Sequence, residues 1–445
     1  MKKHAFFYRL LRPLVILFAK IRFGYRYEKA RDLPENYIVL SNHTTDYDLL
    51  FVAASFPRMM YFVGSEHISR WGILYKFLKF CFNPIMRPKG ASAASTVKEM
   101  MRRAKSGANL CLFAEGVRSW DGTPSPIAPS TAKMVQRMDC GLVTYRITGG
   151  YFASPMWSGS GVRRGKVHAA PMHVFTAEEL QAMTADKLYK IIVADLGEDA
   201  YERQLAAPEK YPCKEPAKGL ENLLFICPEC GGVDTFSSAG STVTCKSCEH
   251  TFTLDEYGMI HGGKFTTVKD LALWQKEQVS HHAEQDAVYT APSGILSTVR
   301  NHVESVVTEG PVTLDKTALC CGELEFSLDS MSDLAMHGQH HLVFTAGKDY
   351  FELAIPAGTN ALKFMLLYKS LKTVKQKGCC DRYGLFRCQY HPLEPHHSVR
   401  YSRRSDPCGQ FPAPSDPLRA QQPDAHRCAG RLHPADFAQS RNSAH

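Results

Sequence analysis

Residues Asn42-His43-Thr44-Thr45-Asp46-Tyr47-Asp48 set a histidine and a carboxylate five positions apart, just after the apolar run Tyr37-Ile38-Val39-Leu40. An imidazole with one ring nitrogen held by a carboxylate can take a proton on the other, which is the work of a general base. Neither regular structure brings the two side chains together. A helix would set them about 140° apart around its axis, and a straight strand would point them to opposite faces. The spacing therefore requires a strand end, a turn, and a helix that starts near Asp48 and runs through Leu49, Leu50, Phe51 and Val52. The plainer reading is a loop histidine beside a helix N-cap aspartate. In a chain with 19 histidines, about one such pair is expected by chance, so the pair gains meaning only from its surroundings.

Two more clusters bear on the same chemistry. Arg87 closes the short run Pro84-Ile85-Met86, and Glu115-Gly116-Val117-Arg118-Ser119 follows the buried run Asn109 to Phe113. A general base of this kind can activate a hydroxyl, and cationic side chains or free amides placed beside it can bind a phosphate or a developing oxyanion. His43 is the candidate base and Asp48 its orienter. Arg87 and Arg118 can each grip phosphate oxygens, and the Gly116 amide lies in a turn able to approach an anion. For Arg118 the alternative is an ion pair with Glu115 or Asp121. No Gly-x-Ser-x-Gly elbow is present, so a covalent acyl-serine route has no support.

A separate chemistry sits further along. Cys227-Pro-Glu-Cys230 and Cys245-Lys-Ser-Cys248 are two Cys-x-x-Cys knuckles at zinc-ribbon separation, with Gly231-Gly232 turning the backbone after the first. Four thiolates leave zinc no open position, so such a site stabilises rather than catalyses; a redox dithiol pair is the alternative.

The elements that must position these residues follow from periodicity. Residues 37–170 alternate short apolar runs, at 59–63, 84–87, 109–113 and 142–147, with amphipathic helices at 68–80, 94–105 and 131–138. The alternation predicts an α/β layered domain whose functional residues lie at strand C-termini. Acidic helices near 177–180 and 188–196 close it. The expected organisation is a membrane-interface helical segment over 1–30, the α/β domain over 31–207, a linker over 208–222, the zinc ribbon over 223–262, a helical connector over 263–309, and a small β-rich domain with a C-terminal helix over 310–377. The order of elements in the last is similar to pleckstrin-homology-like domains. Residues 378–445 hold nine arginines, no lysine and eight prolines without apolar periodicity, which predicts disorder; a shifted reading frame gives text of the same kind.

Charge divides the chain. Residues 1–150 carry 23 basic against 10 acidic side chains, residues 151–350 carry 16 against 27, and residues 351–445 carry 14 against 7. The basic surplus lies with His43 and Asp48 and points to anionic partners: phosphate groups, anionic lipid at a membrane surface, or an acidic carrier protein; nucleic acid fits the charge as well. Residues 201–250, around the cysteines, hold 5 basic against 7 acidic, which opposes a nucleic-acid-binding ribbon. The N-terminal 21 residues, interrupted by Arg9, Arg12 and Pro13, suit neither a signal peptide nor a bilayer span. With Phe7, Leu10, Leu11, Leu14, Phe18 and Ile21 at helical spacing, they predict an interfacial helix, and with it a peripheral or monotopic protein on the cytoplasmic face of a membrane; the alternative is an ordinary packed N-terminal helix.

Taken together, Asn42-His43 with Asp48, Arg87, and Phe113-Ala114-Glu115-Gly116-Val117-Arg118-Ser119 resemble the three blocks of the glycerolipid acyltransferase family that includes 1-acyl-glycerol-3-phosphate acyltransferases. The resemblance covers residues 1 to about 205. It implies transfer of a fatty acyl group from acyl carrier protein or coenzyme A to the hydroxyl of a lysophospholipid acceptor, foremost lysophosphatidic acid, in phospholipid synthesis. His43 and Asp48 would be catalytic, and Asn42, Arg87, Glu115, Gly116, Arg118 and Ser119 would bind substrate. Ala114 and Val117 stand where the family has proline and threonine, Cys81 where it usually has glycine, and Thr144 where it often has proline. These departures suggest a divergent branch and leave glycerol 3-phosphate or another lysolipid as alternative acceptors.

Overall fold

Strands buried on both faces read as unbroken apolar runs, and residues 37–40 are such a run, with all four side chains fully buried. The computed structural model describes residues 2–87, 94–300 and 303–383. In it this run is the centre of a seven-stranded sheet. Its strands are β1 (Arg26–Tyr27), β2 (Tyr37–Ser41), β3 (Met60–Ser65), β4 (Ile85–Arg87), β5 (Asn109–Phe113), β6 (Gly141–Thr148) and β7 (His168–Phe175), in the spatial order β1-β7-β6-β2-β5-β3-β4. β2 pairs in parallel with β5 and β6, and β3 with β5 and β4, while β7 runs antiparallel to β6. Parallel pairing puts Ser41 beside Phe113 and Ser65 beside Arg87. The loops that follow β2, β4 and β5 therefore leave from one edge.

Helices α1 (Lys2–Phe23), α2 (Asp48–Ser55), α3 (Ile73–Cys81), α4 (Ala94–Lys105), α5 (Ser130–Gln136), α6 (Gly150–Ala153), α7 (Ala177–Ala182), α8 (Ala185–Leu196) and α9 (Ala200–Ala206) surround this sheet. Alternate residues of a strand face opposite ways. Ile38, Leu40, Leu110 and Leu142 pack with Met100 of α4, Val135 of α5 and Leu188 and Ile192 of α8. Val39, Cys111, Val143 and Tyr145 share a core with Phe23 of α1 and Phe51 and Val52 of α2. The result is the layered α/β domain.

The cysteine region is a four-stranded antiparallel sheet of β8 (Phe236–Ala239), β9 (Thr242–Cys245), β10 (Thr251–Leu254) and β11 (Ile260–His261), followed by α10 (Val268–Glu284). Then comes a seven-stranded antiparallel sheet of β12 (Tyr289–Arg300), β13 (Val303–Leu314), β14 (Ala318–Cys321), β15 (Leu324–Ser327), β16 (Met331–His337), β17 (His341–Ala346) and β18 (Asp349–Ala354), capped by α11 (Leu362–Tyr383).

Four expectations change. The helix over 68–80 is broken at Gly72, whose φ of +56° suits glycine, leaving a 3-10 turn at Glu66–Arg70 ahead of α3. The stretch 208–222 is no free linker: Tyr211, Ala217 and Leu220 are buried in the core shared with α1, the ribbon and α11. The helical connector ends with α10, and residues 289–300 and 303–309 belong to β12 and β13. A register shift between Ala291 and Gly294, where a side chain on Gly294 would meet Val312 at 2.5 Å, breaks the alternation that would have marked a strand. Finally, α11 continues to Tyr383, past the expected boundary at 377; the rest of the tail lies outside the described residues.

Candidate active site

The turn required by the His43–Asp48 spacing is there. β2 ends at Ser41, α2 starts at Asp48, and the Asp48 carboxylate, with 0% exposure, accepts from His43 Nδ1 at 2.8 Å. Four more donors converge on it: the Thr44 and Thr45 amides at 2.5 and 2.9 Å and their hydroxyls at 3.0 and 2.9 Å. Two threonines between the histidine and the aspartate are the local signal for this cradle, because their hydroxyls reach a side chain a few positions on. Gly150 leaves room for it: a Cβ there would fall 2.1 Å from Thr44 Oγ1. With Nδ1 engaged, Nε2 is the nitrogen that can exchange a proton. The imidazole lies stacked on Phe113, with 4.6 Å between ring centroids and 18° between planes.

The loop after β5 is stitched to the loop after β2. Glu115 Oε1 accepts the His43 amide at 3.2 Å and Oε2 the Ser125 amide at 2.9 Å, while the Ser119 amide donates to the His43 carbonyl at 3.3 Å. Burial pushes the Glu115 carboxyl up to about 7, with the two amide donors opposing and the Asp48 charge adding to it. Near neutral pH Glu115 therefore stands between its acid and its carboxylate. Arg118 pairs across the same seam with Asp46 at 3.1 Å. This is neither of the partners expected for it, since Asp46 is the acidic side chain that the β2 loop turns toward it. Arg87 ends β4 with its Nη1 3.7 Å from the place a Cβ on Gly116 would take.

Three residues expected to bind substrate have other partners. Asn42, fully buried, donates to the Ile147 carbonyl at 2.8 Å and accepts the Ile147 amide at 2.7 Å; its amide is spent on locking β2 to β6. The Gly116 amide donates to the Phe113 carbonyl at 3.1 Å, so the glycine serves its turn, at φ +71°, instead of offering that donor to an anion. The Ser119 hydroxyl accepts the Gly122 amide at 2.9 Å. A narrow cleft opens at this seam, lined by His43, Glu115 and Ser119 and also by Tyr151, Glu198 and Ala200. The last three lie far along the chain, and no pattern in the sequence marks them. Burial raises the Glu198 carboxyl, and Arg203, at 2.8 Å, opposes the rise.

The four cysteines come together. Sγ of Cys227 lies 3.8 Å from that of Cys248, and Sγ of Cys230 lies 3.7 Å from that of Cys245; all four are within 4.8 Å of one another. A tetrahedron with metal–sulfur bonds of about 2.3 Å has edges of about 3.8 Å. The cluster could hold a metal ion.

Comparison with known proteins bears on the α/β part. Residues 24–148 match the family model described as Acyltransferase. No curated protein matches the chain. Among solved structures it is similar to the crystal structure of the 1-acyl-sn-glycerophosphate (LPA) acyltransferase PlsC from Thermotoga maritima, at 18% identity, with 45% of this chain and 81% of that chain covered and a TM-score of 0.38. The family match spans the stretch that carries His43, Asp48, Arg87 and Glu115 to Ser119, so these residues lie within an acyltransferase domain over residues 24–148.

Proposed function

We propose that the protein transfers a fatty acyl group from a thioester, carried by coenzyme A or acyl carrier protein, to the free hydroxyl of lysophosphatidic acid. The observation that carries this reading is the fixed tautomer of His43. Its Nε2 takes the hydroxyl proton, the oxygen attacks the thioester carbonyl, and collapse of the tetrahedral intermediate expels the thiolate, which takes the proton back from the imidazolium. Asp48 stabilises that imidazolium, a task suited to a carboxylate held by four other donors. Arg87, above the Gly116 turn, supplies a guanidinium for the acceptor's phosphate. Val117, 55% exposed, stands where the family has a hydroxyl, and this favours, as a second reading, an acceptor that asks less of that position, such as another lysolipid.

The lysolipid acceptor lives at membranes, and the described helices offer a way to meet one, although none is long and apolar enough to cross it. α1 exposes Phe6, Leu10, Leu14, Leu17, Phe18 and Ile21, and α3 exposes Ile73, Leu74, Phe77 and Phe80. The two stripes meet where Phe7 packs on Phe80 and the Lys3 ammonium sits 3.2 Å above the Phe80 ring. Lys76 and Lys79, also exposed, can answer lipid phosphates. This surface rests on the bilayer. The cysteine cluster binds one structural zinc ion, held by Cys227, Cys230, Cys245 and Cys248.

Purified protein should acylate lysophosphatidic acid, and His43→Ala should lower turnover by at least about 10²-fold with an unchanged circular dichroism spectrum; wild-type turnover in that variant overturns the reading. A panel with glycerol 3-phosphate and phosphate-free lysolipids separates the two acceptor readings. Ile73→Asp with Phe77→Asp should weaken sedimentation with vesicles containing anionic lipid by about tenfold or more, and undiminished binding would refute the membrane surface. Metal analysis should find one zinc per chain, lost in Cys230→Ser; a wild-type chain without metal contradicts the zinc assignment.

A further inference from the structure

α10 carries Lys269 and Lys276 seven positions apart, so that at 3.6 residues per turn they lie about 20° apart on one face. Each reaches an aspartate remote in sequence. Lys269 Nζ pairs with Asp199, 70 positions back, and with Glu202 at 3.6 Å. Lys276 Nζ pairs with Asp121, 155 positions back, at 2.5 Å. Both aspartates are embedded in the walls of the cleft. Asp199 stands between Glu198 and Ala200, and Asp121 directly before Gly122, all three of these neighbours lining the cleft. The two walls are joined to each other, the Ala200 amide donating to the Gly122 carbonyl at 2.9 Å.

Both pairs have the makings of fixed joints. Asp121 is 3% exposed, and its other oxygen accepts the Thr123 amide at 3.1 Å and hydroxyl at 2.6 Å. Burial alone would raise the Asp121 carboxyl; the Lys276 ammonium and the Thr123 donors outweigh it and hold the group below the usual carboxylate range. Asp199 caps α9 by accepting the Tyr201 and Glu202 amides at 3.1 and 3.0 Å. On the far side, α10 is bolted to the chain just ahead of the first cysteine knuckle by the buried Gln275, which accepts the Phe225 and Ile226 amides at 2.6 and 3.1 Å and donates to the Leu223 carbonyl at 3.0 Å. From Asp121 the path to the base is short. The Gly122 amide donates to Ser119 Oγ, and the Ser119 amide to the His43 carbonyl.

We propose that Lys276, with Lys269, is a positioning residue of the transferase: α10, anchored on the cysteine ribbon, holds the two loops that wall the cleft and so fixes where Glu115, Ser119 and His43 stand. The proposal rests on acyl transfer at His43 and gives the ribbon and its helix a task in that reaction. Without Lys276 the Asp121 carboxylate is left buried without its counter-ion, with only the Thr123 amide and hydroxyl on its other oxygen. It must then take a proton or move toward water, and either change slackens the turn that holds Ser119 against His43. Displacement of a catalytic group by about 1 Å costs up to about 10²-fold in rate.

The test uses the full chain with Lys276→Gln and Lys276→Arg, and Lys316→Gln as a surface-pair control, since Lys316 meets Asp286 in the open. Lys276→Gln should lower kcat by about 10- to 100-fold with acceptor KM within about threefold, Lys276→Arg should recover most of the loss, and Lys316→Gln should match the wild type. Amide hydrogen exchange in Lys276→Gln should rise about tenfold within residues 115–125 and 197–203 alone. Wild-type kcat in Lys276→Gln, no recovery by arginine, or exchange raised throughout the chain would each overturn the proposal. Should wild-type protein transfer no acyl group, the functional reading fails by itself. The exchange measurement still decides whether α10 holds the loops: wild-type exchange in Lys276→Gln says it does not.

Discussion

A carboxylate shut off from water is tolerable only where donors replace the water it has lost. Asp48 finds five such donors, and all of them come from the three residues His43, Thr44 and Thr45. That local closure dictates the path of the chain. Residues 42–47 must turn sharply around Asp48, α2 must begin at that residue, and the imidazole must present Nε2 outward. Space for the turn has to be kept free by Gly150, and the β5 loop has to match it, which it does by exchanging hydrogen bonds with both the amide and the carbonyl of His43.

The same need for satisfied burial binds the rest of the molecule to this site. Tyr8 and Arg12 of α1 donate to the carbonyls of Ala53, Ala54 and Phe56 at the end of α2, where backbone acceptors lack helical partners. The helix that exposes an apolar stripe therefore also seats the helix that carries Asp48. On the opposite side the ribbon and the C-terminal sheet share one continuous core with the α/β domain, running from Phe23 through Tyr151, Phe225 and Leu254 to Leu367. Gln339, in the turn before β17, donates to the carbonyls of Met156 and Ser158, and Arg70 meets the buried Glu352 at 2.8 Å. Such contacts make the appended regions part of the scaffold around the cleft.

What could be read in the sequence was what short range determines. The five-residue interval between His43 and Asp48 excluded both regular structures and so announced the turn. The Cys-x-x-Cys pairs did the same for the cysteine cluster. Unbroken apolar runs marked β2 and β5, whose burial on both faces leaves no polar side. Residues whose roles depend on distant partners could not be read. Asn42 looked available until Ile147 took both ends of its amide, and Glu198 reaches the cleft, and Lys276 the Asp121 behind its wall, only through tertiary packing. Composition misled over 208–222, where prolines and charges surround the buried anchors Tyr211 and Leu220. It misled again over 289–309, where Pro292, Gly294 and a bulge interrupt the period that would have revealed two long strands.

The dependence of everything else on Asp48 makes its replacement by asparagine the most direct measurement. The substituted amide would keep the size of the side chain and its place at the start of α2, but would lose the charge and put a donor where an acceptor is needed. With His43 as the base, Asp48→Asn lowers kcat for acyl transfer by about 10²–10⁴-fold, far more than the loss of about 1–3 kcal/mol in stability expected for a mispaired buried group explains, while vesicle binding stays close to wild type and thermal unfolding, at a lower midpoint, remains a single transition above the assay temperature. Turnover within about threefold of wild type in that variant would mean that the carboxylate does not orient the base.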